Sequence, residues 1–552
     1  MRKLCSLPCD PDPGTVARRA PVNREDGSKV SRASDVSTVL SRAPLGLMAP
    51  LVRVEVHLGS GLPTFVIVGL PEAVVRESKE RVRSAIVNTG FEFPVARITI
   101  NLSPADLPKE GGRFDLPIAI GILTASRQLP RDALRGREFY GELSLGGDLR
   151  ETAKLLPAMV AGARQGHEIV VPSANSAEAA LVASPKLRLA SHLRDLCQSL
   201  RRGQPLGAAA GAAPGTDASS GADAGAGTGV GGMSGVAVPV LDLADVRGQF
   251  AAKRALEIAA AGEHGLLLVG PPGAGKTLLA QRLPGLLPPL ARDEALEVAS
   301  LESVAGHKPT TGLRRPFRSP QHTASAAALI GGSGFRPGEL SLAHLGVLFL
   351  DELPEFARNV LEALREPLET GKVVLVRVKR SYEFPARFQL VAAMNPCPCG
   401  YHGDPRGRCR CTGEQVARYR NRASGPLLDR IDIHLEVSAL TTEQLLAEGP
   451  PESEPTAAVA ARVAAARRRQ EARQGKLNAR LSAEETRQLC PLDARSRGIL
   501  RAAIQRLGLS ARAHDRVLRV ARTCADLAAE SDIAAEHVAE AVCLRALDRR
   551  TR

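Results

Sequence analysis

The residues best suited to chemistry are eight in a row. Gly270, Pro271, Pro272, Gly273, Ala274, Gly275, Lys276 and Thr277 match G-x-x-x-x-G-K-[ST] at every fixed position. Glycines here let main-chain N–H groups close around phosphate oxygens, and a helix opening at the lysine adds partial positive charge. Lys276 would reach the β- and γ-phosphates of a nucleotide, and Thr277 would hold Mg²⁺. The bland alternative is a glycine-rich turn that fits by chance. The flanks argue against it. Leu266-Leu-Leu-Val269 reads as a strand and Leu278-Leu-Ala-Gln-Arg282 as a helix start, the context a phosphate loop requires. ATP and Mg²⁺ are therefore the expected cofactors.

Two further apolar runs end in polar groups. Val347-Leu-Phe-Leu350 ends in Asp351 and Glu352, and Leu390-Val-Ala-Ala-Met394 ends in Asn395. A buried strand that presents Asp351 at its end would help hold Mg²⁺, while Glu352 would polarise the attacking water. Asn395 would lie between the nucleotide and these acids. Arg430 follows a short apolar helix, where it either stabilises charge on a transferring phosphoryl group across an interface or pairs locally with Asp429 or Asp432. Arg512 opens a later helix, either reaching a γ-phosphate or standing exposed.

Cys397, Cys399, Cys409 and Cys411 fall within fifteen residues, with His402 between them. Four thiols this close suit a structural tetrahedral Zn²⁺ site, because four thiolates leave no open position for catalysis. Free, oxidisable thiols are the alternative. The C-x-C spacing is tighter than the usual C-x-x-C, and the glycines between the pairs favour a tight loop.

Several elements must position these groups. The chain has 552 residues, more than one core sustains. Residues 1–34 are polar and read as a disordered extension; 35–200 alternate strand-like and helical runs, as in an α/β layer domain. Residues 201–238 are rich in Gly and Ala and read as a linker. Residues 239–445 hold the phosphate loop, and 446–552 read as helical. Aromatic content is 3% with no Trp, so the cores rest on Leu, Val, Ile and Ala. Formal net charge is +14, which favours a polyanionic partner such as nucleic acid. No apolar run of about 20 residues is present, so no membrane span is expected. With no secretory pattern at the start, the expected compartment is the reducing cytoplasm.

The order 270–277, Asp351-Glu352, Asn395, Arg430, Arg512 resembles an AAA+ ATPase, in which Asn395 and Arg512 would be the first and second sensors. Longer strings narrow the resemblance. Pro337-Gly-Glu-Leu-Ser-Leu-Ala-His-Leu-Gly-Val-Leu-Phe-Leu-Asp-Glu352 and Val391-Ala-Ala-Met-Asn-Pro-Cys-Pro-Cys-Gly400 are similar to the magnesium-chelatase branch. Gly61-Leu-Pro-Thr-Phe-Val-Ile-Val-Gly-Leu-Pro-Glu72, Asn101-Leu-Ser-Pro-Ala-Asp-Leu-Pro-Lys-Glu-Gly-Gly112 and the string from Ser510 to Thr523 resemble the YifB/ComM group within it. The resemblance implies an α/β protein: an AAA+ P-loop core with a helical lid, preceded by a Lon-protease-like α/β domain. It implies a homo-hexameric, ATP-driven DNA helicase that extends branched recombination intermediates during natural transformation. The rival it leaves is a chelatase motor subunit that drives metal insertion into a porphyrin.

The same branch implies a hairpin before Asn395. The candidate is 373–388, with Lys379-Arg380-Ser381 as tip and Arg377, Lys379 and Arg380 as DNA contacts through phosphates. Arg314, Arg315 and Arg318 add charge in a candidate insert at 313–337. A further basic run includes Arg462, Arg467, Arg468, Arg469, Arg473 and Lys476. Lon proteases carry a serine where this chain has Arg113, and the partner lysine would fall near Leu156, with Lys154 two positions off. Ser103 and Ser144 lie outside that motif. Without a hydroxyl nucleophile, no Ser–Lys dyad can acylate.

Overall fold

The computed structural model describes residues 36–207, 241–310, 312–332, 335–377, 380–404, 406–423, 425–439 and 453–545. The expected extension at 1–34 and most of the expected linker lie outside these residues. Residues 201–202 do not belong to a linker: they close the helix Leu193–Arg202, which Gly203 ends in the left-handed region at φ 62°.

The amino-terminal sheet contains β1 (Val36–Arg42), β2 (Leu51–Gly59), β3 (Thr64–Val68), β4 (Arg97–Ser103) and β5 (Arg137–Phe139). A small hairpin, β6 (Glu142–Leu143) with β7 (Leu149–Arg150), stands apart, and β8 (Glu168–Pro172) and β9 (Leu187–Ala190) complete the sheet. Its order is β3-β4-β2-β1-β5-β8-β9. β1, β2 and β4 run antiparallel, with Val39 opposite Val54 and Val54 opposite Leu102. Along β2, Val52, Val54 and Val56 are buried while Arg53 and His57 are exposed, the period of two that puts one face on a core. That face is covered by the helix Asp115–Ala125, all of whose residues are buried. Gly121 allows the close approach: a Cβ there would stand 2.6 Å from Val56 Cγ2.

The second sheet is wholly parallel. β10 (Leu266–Val269), β11 (Phe317–Arg318), β12 (Val347–Leu350), β15 (Gln389–Met394) and β16 (Ile433–Glu436) lie in the order β11-β12-β15-β10-β16. Between β12 and β15 the chain makes a separate antiparallel hairpin of β13 (Lys372–Arg377) and β14 (Arg380–Pro385). β10 and β12 are apolar at every position because the sheet is covered on both faces. Leu266 and Leu268 join one core, with Leu256, Ile258, Val463 and Val517. Leu267 and Val269 join the other, with Leu353, Val360 and Leu361.

Helices Thr456–Gln474, Ala483–Leu489, Ala494–Leu507, Ala511–Ala528 and Ala535–Cys543 make up the carboxy-terminal part. The first and fourth share the apolar core of the parallel sheet. The second and fourth are capped at their starts: Ser482 forms a capping box with Glu485, and Ser510 accepts from the N–H of Ala513.

The hairpin appears where 373–388 suggested, but its tip differs. Arg380 and Ser381 lie in β14, opposite Arg377 and Val376, and so belong to a strand, not to the tip. Lys379 lies outside the described residues. At the base, Tyr382 and Phe384 pack with Leu301 and Val304 and with Leu45 and Leu47 of the amino-terminal domain.

Candidate functional site

The parallel sheet explains why separated sequence runs meet. The phosphate loop, Asp351, Glu352 and Asn395 each follow the carboxy end of a strand, and those strands, β12, β15 and β10, are neighbours. Ligands gather at that edge of such sheets. Gly273 and Gly275 take φ values of 78° and 85°, a region side chains disfavour. Gly270 has no room for a Cβ, which would stand 2.3 Å from the Val437 carbonyl oxygen. The helix Lys276–Ala280 then begins at the lysine.

Lys276 Nζ donates to the carbonyls of Gly270 at 2.7 Å and Pro271 at 3.0 Å, and to Asn395 Oδ1 at 3.1 Å. Burial pushes its ammonium below the usual lysine range, opposed by the charges of Asp351 and Glu352. Thr277 Oγ1 donates to Asp351 Oδ2 at 2.8 Å. Glu352 adopts φ 53°, and its N–H donates to Asp351 Oδ1 at 2.9 Å. These residues line one cavity of about 460 Å³, together with Pro272, Gly273, Ala274, Gly275 and Met394.

One neighbour of this site was not read from the sequence. His322 Nδ1 lies 3.3 Å from Glu352 Oε2. It comes from the loop after β11, which pairs in parallel with β12. No local motif marks it, because only strand pairing brings it close.

Arg430 and Arg512 do not line this cavity. Arg430 Nη1 donates to the Pro426 carbonyl at 2.7 Å, and Nη2 is ion-paired with Glu369. It precedes β16 and so lies at the amino edge of the sheet. Arg512 is exposed in the first turn of its helix.

The four cysteines converge. Cys397 Sγ lies 3.3 Å from Cys399 Sγ and 3.8 Å from Cys409 Sγ, and Cys399 lies 3.7 Å from Cys409. All four sulfurs, Cys411 included, lie within 4.8 Å of one another. Zn–S bonds of about 2.3 Å in a tetrahedron require sulfur separations of about 3.8 Å, so the set fits a metal of that kind. Backbone N–H groups of Arg410 and Tyr401 hold the Cys399 thiol down at about 6. Gly400, at φ 84°, rests against the phosphate loop: a Cβ there would stand 2.6 Å from Pro272 Cδ. Arg420 ties the following helix to this segment by donating to the Pro396 carbonyl at 3.2 Å.

The basic runs are largely paired with other groups of the chain. Arg318 pairs with Glu339 at 2.7 Å, and Arg315 donates to the carbonyls of Pro288 and Leu345. In the helix Thr456–Gln474, Arg462 binds Glu257 and Glu454, Arg467 donates to Ala260, and Arg473 binds Asp526. Arg314 and Arg468 stay exposed. In the amino-terminal domain Arg113 is buried, its Nη2 2.7 Å from the Ala153 carbonyl and 3.3 Å from that of Lys154. Burial lowers its guanidinium to about 10. Ser144 donates to Asp148 Oδ2 at 3.0 Å.

Residues 242–445 match the family described as magnesium chelatase, subunit ChlI; residues 54–175 match subunit ChlI of Mg-chelatase; residues 453–545 match the ChlI C-terminal family. The chain is 48% identical to "Uncharacterized protein YifB" of Escherichia coli, over 93% of this chain and 98% of that one. It is 46% identical to "Competence protein ComM" of Haemophilus influenzae, again over 93% and 98%. It is 29% identical to the magnesium-chelatase 38 kDa subunit of Rhodobacter capsulatus, over 29% of this chain and 51% of that one. With matches to two named groups across nearly its whole length, the chain belongs to the YifB/ComM group of the magnesium-chelatase-like family.

Proposed function

We propose that this chain is an ATP hydrolase that assembles head to tail into a ring, expected to be a hexamer, and moves DNA, with branched recombination intermediates as substrate. The observation that carries this reading is the meeting of Lys276, Thr277, Asp351, Glu352 and Asn395 around one cavity at the carboxy edge of a parallel sheet. Lys276 trades its contacts with two loop carbonyls for the β- and γ-phosphates, so its charge is available without rebuilding the loop. Thr277 and Asp351, already 2.8 Å apart, are placed to share one Mg²⁺. The ion, when bound, neutralises charge developing on the phosphates. Glu352 takes a proton from the attacking water, and Asn395 orients that water beside Lys276. Arg430 lies outside its own chain's cavity, which supports action on a neighbour's nucleotide.

The cysteine loop holds a structural Zn²⁺ and fixes the segment after Asn395 against Pro272. DNA enters through the +14 charge and the β13–β14 hairpin, with Arg377, Lys379 and Arg380 meeting phosphates. The reading places the protein in the cytoplasm. No helix among the described residues is long and apolar enough to cross a membrane. Arg113 in place of a nucleophile supports a binding role, not proteolysis, for the Lon-like amino-terminal domain. The porphyrin-metallation alternative is weaker: the chelatase subunit matches 29% of this chain, against 93% for the competence protein. The test is ATP hydrolysis with and without forked DNA. Stimulation by the fork is expected; turnover indifferent to DNA returns the chelatase-type reading.

A further inference from the structure

The hairpin of β13 and β14 forms a two-stranded sheet of its own, joined to neither of the larger ones. A hairpin alone is marginally stable in water, so what it rests on decides its attitude. Its two faces differ. Val373 and Leu375 stand opposite Phe384 and Tyr382; Val373, Tyr382 and Phe384 are buried and Leu375 half-buried. Val374 and Val376, opposite Glu383 and Ser381, are exposed. The inward face packs on Leu301 and Val304 of the helix Arg292–Ala305, on Phe335, and on Leu45 and Leu47 of the amino-terminal domain. The ring centroids of Phe335 and Tyr382 lie 3.8 Å apart.

Leu45 and Leu47 sit on the turn 43–50 between β1 and β2, and that turn is tightly held. The Leu45 N–H donates to the Met48 carbonyl at 2.9 Å, and the Met48 N–H to the Leu45 carbonyl at 3.0 Å. Gly46 takes φ 61°, and a Cβ there would stand 3.3 Å from Phe384 Cε1. Nearer the strands, the Ala43 N–H donates to the Pro50 carbonyl at 3.1 Å. Arg42 Nη1 donates to the Ala49 carbonyl at 2.9 Å, while its Nε and Nη2 donate to Glu138 at 2.9 and 2.7 Å. Arg42 and Glu138 are both buried, so this pair locks the turn to the sheet. The helix Arg292–Ala305 is fixed to the same domain: Ser303 Oγ donates to Glu178 Oε1 at 2.9 Å, and Ala299 joins the core of Leu155, Leu156 and Met159.

We infer, resting on the DNA reading above, that the turn 43–50 is the footing of the hairpin, and that Leu45, Gly46 and Leu47 are positioning residues for its grip on DNA phosphates. A domain with no assigned DNA contact then governs how firmly DNA is held. A hairpin ordered in advance meets phosphates without first losing its own freedom; a loosened one loses that freedom on binding and binds more weakly. The turn itself does not touch DNA. The cavity of about 850 Å³ beside it is lined by Asp106, Glu297 and Glu383, and Lys372 in the same wall is ion-paired with Glu383, so a polyanion is repelled there. In a ring each hairpin stands on its own chain's turn, so a weakened footing is repeated at every subunit.

The test uses the full-length protein with Leu45→Ala and Leu47→Ala together. Affinity for a fluorescent forked DNA at about 50 mM salt is expected to fall at least about fivefold, with ATP affinity and DNA-independent turnover within about twofold of wild type. In the same protein the backbone amides of β13 and β14 should exchange with deuterium faster, while those of β10 and β15 keep their wild-type rates. Leu45→Met with Leu47→Met keeps volume and apolar character and should restore both readouts. Leu47→Ala alone is the milder change and should move both readouts the same way by less.

Wild-type fork affinity in the double alanine variant would overturn the inference, whether or not the hairpin exchanges faster. Weaker fork binding with unchanged hairpin exchange would overturn it too, because the turn would then meet DNA directly. So would a fall in fork affinity matched by an equal loss of ATP affinity and a lowered melting temperature, which would mean that the turn only holds the fold together. If the double alanine chain does not fold, Leu47→Ala decides by the same readouts. A wild-type protein with no affinity for forked DNA fails the DNA reading itself, and the exchange rates then still decide whether the turn holds the hairpin.

Discussion

Lys276 sits on two loop carbonyls and one asparagine oxygen, all groups that a nucleotide's phosphates can outbid. Replacing Lys276 with Ala is expected to weaken ATP binding by at least about tenfold, because one full charge facing the β- and γ-phosphates is lost. Glu352→Gln should keep that affinity and cut turnover by about 10²-fold or more, because an amide cannot take the proton of water. Equilibrium binding of a fluorescent nucleotide beside steady-state hydrolysis separates the two; a Glu352→Gln enzyme with wild-type turnover would remove that residue from the mechanism. These residues were legible in the chain because each stands at the end of an apolar run, and the loop fixes its own geometry within eight positions. His322 was not legible, since it meets Glu352 only through the pairing of β11 with β12. Nor was the engagement of Arg430 with Glu369, which is 61 positions away.

Among the elements, the cysteine loop has the most at stake, because it touches the phosphate loop at Pro272. The purified protein is expected to carry about one zinc per chain, and Cys409→Ser markedly less. Elemental analysis decides this, and near-zero zinc in both proteins, prepared without chelator, leaves free thiols. The joint between the parallel sheet and the carboxy-terminal helices runs through Asp432. Burial pushes its carboxyl up, but the hydrogen bond and charge of His264 and the charges of Arg516 and Arg519 outweigh that and hold it at about 2. A carboxylate with a lowered folded pKa contributes stability that is present above about pH 4 and lost as pH falls toward 2. Asp432→Asn should therefore lower the melting temperature at pH 7, and its deficit against wild type should shrink between about pH 4 and 2. A deficit constant across that range would mean that the charge is not what holds the joint. The hairpin was legible as an alternation of valines and basic residues, but its tip was not. The register that pairs Arg377 with Arg380 is set by the whole ladder down to Lys372 and Pro385, not by the charges near the turn.

For the whole molecule, charge and likeness argue together. Many arginines are tied to acids of the same chain: Arg42 to Glu138, Arg473 to Asp526, Arg462 to Glu257 and Glu454. A basic run read from the sequence therefore overstates the cations free to meet a polyanion, and the run 462–476 includes several that tie its helix to its neighbours. On the proposed reading, DNA contact would be carried best by repetition, because a ring would present several hairpins to one strand at high effective concentration. DNA affinity is expected to rise on oligomerisation, fall steeply with salt and depend little on base sequence. The sharing of one apolar core between the parallel sheet and the carboxy-terminal helices was not legible in the chain, since it depends on which faces of distant helices meet.

The most direct measurement of the central claim is strand separation of a forked DNA by the oligomer at about 50 mM salt, with ATP, read beside hydrolysis in the same samples. Wild type should separate the fork only while ATP is hydrolysed. Glu352→Gln should bind the fork and leave it paired, and a chain with Lys379 and Arg380 both replaced by Ala should bind ATP normally yet lose its grip on the fork. Robust hydrolysis by confirmed oligomers, with no binding to forked DNA and no separation of it, would contradict the account.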